Sequence, residues 1–147
     1  MRFFLRPAAD NVSFDIVHSE IKRKYRDISF ANRSYQEKIH DYGTVDEYFD
    51  NHFKPADISI ISSHLNVGHI TEMIKNGRQR FFNITGVFFS NSFDANLALN
   101  SQISVLDWNE RLVIENVILE DKAQIDKQMC AITDNFIQFI SKRTSIS

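Results

Sequence analysis

Residues Arg80–Ser90 read RFFNITGVFFS. Two further apolar segments follow, LALNSQISVL (Leu97–Leu106) and RLVIENVIL (Arg111–Leu119), separated by DWNE (Asp107–Glu110). The first is rich in Phe and β-branched residues and carries apolar side chains at odd and even positions alike, the pattern of a central strand covered on both sides. After a polar turn at Asn91–Asn96, the other two read as a hairpin around DWNE. Together they predict a three-stranded antiparallel meander.

Toward the C-terminus, Ile125, Met129, Ile132, Phe136 and Ile140 recur every three or four residues between Asp121 and about Arg143. Glu120, Asp121 and Asp126 stand at the start and Lys142 and Arg143 at the end, so the charge order suits the dipole of a long amphipathic helix. Toward the N-terminus, Asn66–Asn76 reads as a helix ended by Gly77. Asp57–Ser62 reads as a short strand. Two short helices, Ser34–Tyr42 and Val45–Phe53, are punctuated by Gly43. The second has a firm start, because Thr44 and Glu47 form a capping box, and Pro55 stops it. Phe3–Leu5 reads as a first strand closed by Pro7, and Ser13 caps a helix bearing Phe14, Val17, Ile21 and Tyr25 on one side as far as about Arg26. This order predicts an α+β fold in one domain spanning residues 1–147. Its antiparallel sheet consists of the meander plus one or two further strands, covered by helices.

Thirteen Phe against four Gly and two Pro in 147 residues supply apolar surface enough to offset ordering entropy. A net charge of −2 gives no global attraction to nucleic acid or to an anionic membrane. Cys130 is the only cysteine, which excludes an intrachain disulfide and a cysteine-based zinc site and fits a reducing compartment. Beside Met129 in the C-terminal helix, it reads as a small buried hydrophobe. The run Phe3–Leu5 is too short for the apolar core of a signal peptide, and nowhere do about 18 apolar residues run together. The expectation is a cytoplasmic protein.

Familiar chemistry finds little support. His40, His52, His64 and His69 share thirty residues with several carboxylates, yet no metal-binding motif is present, and His64 and His69, five apart, point to different sides of a continuous helix. Scattered single glycines exclude the phosphate-binding loops, no nucleophile elbow occurs, and no cofactor is implied. A His–carboxylate acid–base pair such as His18 with Glu20 or His69 with Glu72 needs no motif, so residue type alone speaks for it. The basic run KRKYR (Lys22–Arg26) has the composition of a phosphate-gripping surface, but Glu20 and Asp27 flank it, as on a solvated helix face.

The stretch His40–Phe53, HDYGTVDEYFDNHF, stands out. Residues 39–57 carry five acids (Asp41, Asp46, Glu47, Asp50, Asp57) against Lys54, a net −4, whereas residues 1–38 carry eight cations against five acids, a net +3. Tyr42, Tyr48, Phe49 and Phe53 exceed what such short helices can bury, so one or two rings are expected among the carboxylates. Rings beside charges suit a docking surface for a basic protein. In size, lone cysteine, absence of catalytic motifs and Asn/Ile/Ser/Phe-rich texture, the chain resembles the immunity proteins that bacteria encode beside polymorphic or contact-dependent toxins. That resemblance lies in general character and assigns no residue a role. The resulting expectation is a non-enzymatic inhibitor that blocks a basic toxin domain through Asp41, Tyr42, Asp46, Glu47, Tyr48 and Asp50, with no metal. The alternatives are a small secretion or assembly chaperone that holds a partner segment on an exposed apolar sheet face, that of RFFNITGVFFS, or on the C-terminal helix, and an enzyme or nucleic-acid binder without a sequence motif.

Overall fold

The computed structural model describes residues 28–31, 33–91 and 96–143. The expected strand at Phe3–Leu5, the helix from Ser13 with its KRKYR run, and residues 92–95 of the polar turn lie outside the described residues. In chain order the described elements are β1 (Ile28–Phe30), a 3₁₀ turn (Tyr35–Lys38), α1 (Ile39–Tyr42), α2 (Val45–Asn51), β2 (Ile58–Ile60), α3 (Val67–Gln79), β3 (Thr85–Phe89), α4 (Leu97–Ser104), β4 (Glu110–Ile114) and α5 (Lys122–Arg143).

The expected antiparallel meander is not there. The described strands form two two-stranded sheets, β1–β2 and β3–β4, and both are parallel. Ile28 pairs with Ile58 in the first, and Thr85 with Glu110 through to Phe89 with Ile114 in the second. The architecture is therefore strands alternating with helices, not an α+β sheet of hairpins.

The reason lies in LALNSQISVL. Leu99, Ile103 and Leu106 recur at spacings of four and three, which a helix places on one side. Asn96 caps that helix, accepting from the Leu99 N–H at 3.3 Å, and Ile103, 1% exposed, packs with Ile70, Ile74 and Phe88. Parallel strands need a crossover of about a dozen or more residues, usually a helix, and among the described residues α4 supplies that helix. DWNE is accordingly no hairpin turn. The Trp108 indole N–H donates to the Ile103 carbonyl at 2.8 Å and the Asn109 N–H to the Ile84 carbonyl at 3.0 Å, tying the end of the crossover to the start of β3.

RFFNITGVFFS does hold a strand covered on both faces, confined to Thr85–Phe89. Val87 packs with Ile114 and with Ile132 of α5, whereas Phe88 packs with α3 and α4. Such double cover is what parallel sheets require. Arg80–Asn83 instead form the turn that follows α3. Gly77, expected as the terminator of that helix, lies inside it, and a Cβ there would overlap Ile84 Cδ1. Its use is close approach between helix and strand. The true stop is a Schellman motif, with the Phe81 N–H on the Arg78 carbonyl at 2.9 Å and the Phe82 N–H on the Gly77 carbonyl at 3.0 Å. Phe81, 98% exposed, holds the left-handed position usually given to glycine, at φ 64°.

α5 matches its expected span, with Asp121 accepting from the Gln124 N–H at 3.0 Å at its start. Met129, Ile132 and Phe136 form the packed stripe. Cys130 is exposed rather than buried, because one residue rotates about 100° from Met129 and leaves that stripe. No described helix is long and apolar enough to cross a membrane.

Two substitutions at the end of α3 separate these roles. Gly77→Ala is expected to forfeit the roughly 0.5–1 kcal/mol that alanine ordinarily gains over glycine inside a helix, because the Ile84 Cδ1 methyl has to turn aside and lose packing. Phe81→Gly is expected to stabilise by about 1 kcal/mol by relieving the left-handed backbone. Urea unfolding midpoints measure both, and a more stable Gly77→Ala protein would contradict the tight approach of α3 to Ile84.

Candidate functional site

The acidic stretch folds as α1 and α2, and local hydrogen bonds explain both ends. Thr44 and Glu47 form the expected capping box. The Glu47 N–H donates to Thr44 Oγ1 at 3.2 Å, and the Glu47 carboxylate accepts from the Thr44 N–H at 2.7 Å and from its hydroxyl at 3.0 Å. These donors, the backbone N–H foremost, hold the Glu47 carboxyl below its usual range. A second capping box joins Ser34 and Glu37 ahead of the 3₁₀ turn, its signature Ser-Tyr-Gln-Glu legible in the sequence.

Asp46 and Asp50, four residues apart on α2, meet Asn76 and Arg80, four apart at the end of α3. Asn76 Nδ2 donates to Asp46 Oδ1 at 2.7 Å, and the Arg80 guanidinium donates to Asp50 and, at 2.6 Å, to Asn76 Oδ1. Arg80 also lies over the Phe49 ring, 5.2 Å from its centroid. Asn76 is only 2% exposed, so this ladder satisfies a buried amide while locking the two helices together. Asp41 pairs with Lys38 at 3.0 Å.

The structure thus gathers Asp41, Asp46, Glu47 and Asp50 on one helical pair, all exposed. It does not bring Tyr48 to the surface beside them. Tyr48, 4% exposed, forms a core with Tyr35, Val45 and Phe49, and burial followed by the neighbouring Tyr42 pushes its phenol up to about 12. Tyr42 is half-buried against Tyr35 and Tyr48. Tyr35 donates its hydroxyl to the Gly43 carbonyl at 2.6 Å, and burial, then the carboxylates of Glu47 and Glu72, raise its pKa.

Parallel strands direct attention to a second place, because ligands of open α/β sheets bind outside the carboxyl ends of the strands. Beyond β1 and β2 lies a polar cluster with Gln36 at its hub. Gln36 Nε2 donates to Ser63 Oγ at 2.9 Å and stands 3.5 Å from His69 Nδ1, while its Oε1 accepts from the His64 N–H at 3.0 Å. His64 Nε2 lies 3.7 Å from Glu37 Oε1. Ser62, buried, donates to the Ala31 carbonyl at 3.3 Å. The cluster offers half-exposed imidazole and carboxylate groups on a pinned loop, a setting for a polar ligand. Sequence reading weighed His64 and His69 as metal ligands and missed Gln36 and Ser63, whose meeting depends on the parallel pairing. Among the described residues, no three His, Cys, Asp or Glu side chains converge on a position fit for a metal ion. Beyond β3 and β4, Asn91 and Asn116 stitch the chain, with the Asn91 N–H on Asn116 Oδ1 at 2.8 Å and Asn116 Nδ2 on the Asn91 carbonyl at 2.9 Å.

No protein-family model matches the chain, and neither a curated protein nor a solved structure is significantly similar to it.

Asp46→Ala is expected to cost about 1 kcal/mol by leaving one N–H of the buried Asn76 amide unpaired, the other staying on the Glu72 carbonyl at 3.1 Å. Asp46→Asn, which keeps an acceptor, is expected to cost much less, and equal unfolding midpoints for the two variants would contradict the ladder. The depressed Glu47 pKa gives a sign as well: its contribution to the cap is present above the ordinary glutamate range and is lost as pH falls through the folded pKa. Thr44→Val removes one donor and keeps the backbone N–H, so the Glu47 carboxyl titration, followed by NMR, is expected to move part of the way back up.

Proposed function

We propose that the chain is a non-enzymatic protein-binding module that neutralises a basic partner, most concretely an immunity protein that blocks a nuclease-type toxin in the cytoplasm. One observation supports this reading above the others. Four exposed carboxylates, Asp41, Asp46, Glu47 and Asp50, stand on one helical pair, and each is already held by a neighbouring group. Groups ordered before encounter lower the cost of association, and carboxylates at the surface steer a cationic partner. Lys38 and Arg80 temper the charge of Asp41 and Asp50. Asp46 and Glu47, which no cation pairs among the described residues, therefore carry most of the field.

Tyr48 belongs to the core, so the apolar anchor of such a face has to come from elsewhere. Phe81 suits the role. It follows directly on Arg80, which bonds Asp50, and it is almost wholly exposed on a backbone that glycine would adopt without strain. A second reading, a small polar ligand at the carboxyl ends of β1 and β2, is favoured by the pair of His64 with Glu37 beside Gln36.

Affinity capture at low salt from the cells that produce the chain separates the two. The combined variant Asp41→Asn, Asp46→Asn, Glu47→Gln keeps the acceptors and the cap while removing three charges. It is expected to weaken binding of a basic captured protein by about tenfold or more, ~1.4 kcal/mol, with a flatter salt dependence. His64→Gln is expected to leave that binding unchanged. Phe81→Gly is expected to weaken binding even as it raises the unfolding midpoint, a combination that a purely structural Phe81 would not produce. Undiminished capture by the neutralised variant would overturn the reading.

A further inference from the structure

We draw no further inference here: the strongest candidate, the apolar groove between β2 and β3 walled by Met73 and Ile74 of α3 and by Phe136 and Phe139 of α5, carries nothing because nothing among the described residues shows what covers it.

Discussion

Two parallel strands cannot be closed by a tight turn, and in this chain that constraint on β3 and β4 arranges the elements around them. The pairing of Thr85 with Glu110 through to Phe89 with Ile114 requires a crossover between the two strands. In it α4 lies over one face, where Ile103 meets Phe88, Ile70 and Ile74. The opposite face is then free for α5, whose Ile132 closes over Val87 and Ile114. Burying each such side chain contributes about 1.5–3 kcal/mol, so helices on both faces and parallel register stabilise one another. Trp108 and Asn109 secure the junction by hydrogen bonding to Ile103 and Ile84.

The same cooperation between local and distant contacts governs the acidic pair of helices. Asp46 and Asp50 occupy the side of α2 that faces the end of α3, and their bonds to Asn76 and Arg80 are part of what holds α2 in place. Because these carboxylates remain exposed, a structural bond does not prevent them from contributing to the surface potential. The aromatic residues beneath serve a different end: Tyr35, Tyr48 and Phe49 form a ring-on-ring core that gives two very short helices something to bury. Charge above and rings below is the division of labour here, in place of the mixed surface that composition suggested.

Features encoded within one turn of chain were legible in the sequence. The Thr44–Glu47 box, the span of α5 and the short strand β2 depend on residues a few positions apart, and all three appear at their expected places, although Ile125 of the expected α5 stripe is exposed. Strand direction was not legible, since it depends on contacts between residues some 25 positions apart, and alternating and helical patterns overlap in a segment as short as LALNSQISVL. β1, three residues long, offers too little pattern to find. Gly77 shows another limit, because a helix terminator and a glycine needed for close packing look alike until Ile84 is placed beside it. For the candidate site, acids at the start of α2 were readable as helix-capping groups, but their partners thirty residues away on α3 were not. The cluster around Gln36 was hidden for the same reason, as it exists only once β1 and β2 run side by side.

Backbone NMR of the isotope-labelled chain tests the parallel pairing most directly. Parallel register predicts helical Cα shifts across Leu97–Ser104 and inter-strand NOEs that run in ascending order, from Thr85 near Glu110 to Phe89 near Ile114. Extended shifts across Leu97–Ser104, or NOEs placing Thr85 opposite Ile114, would contradict it.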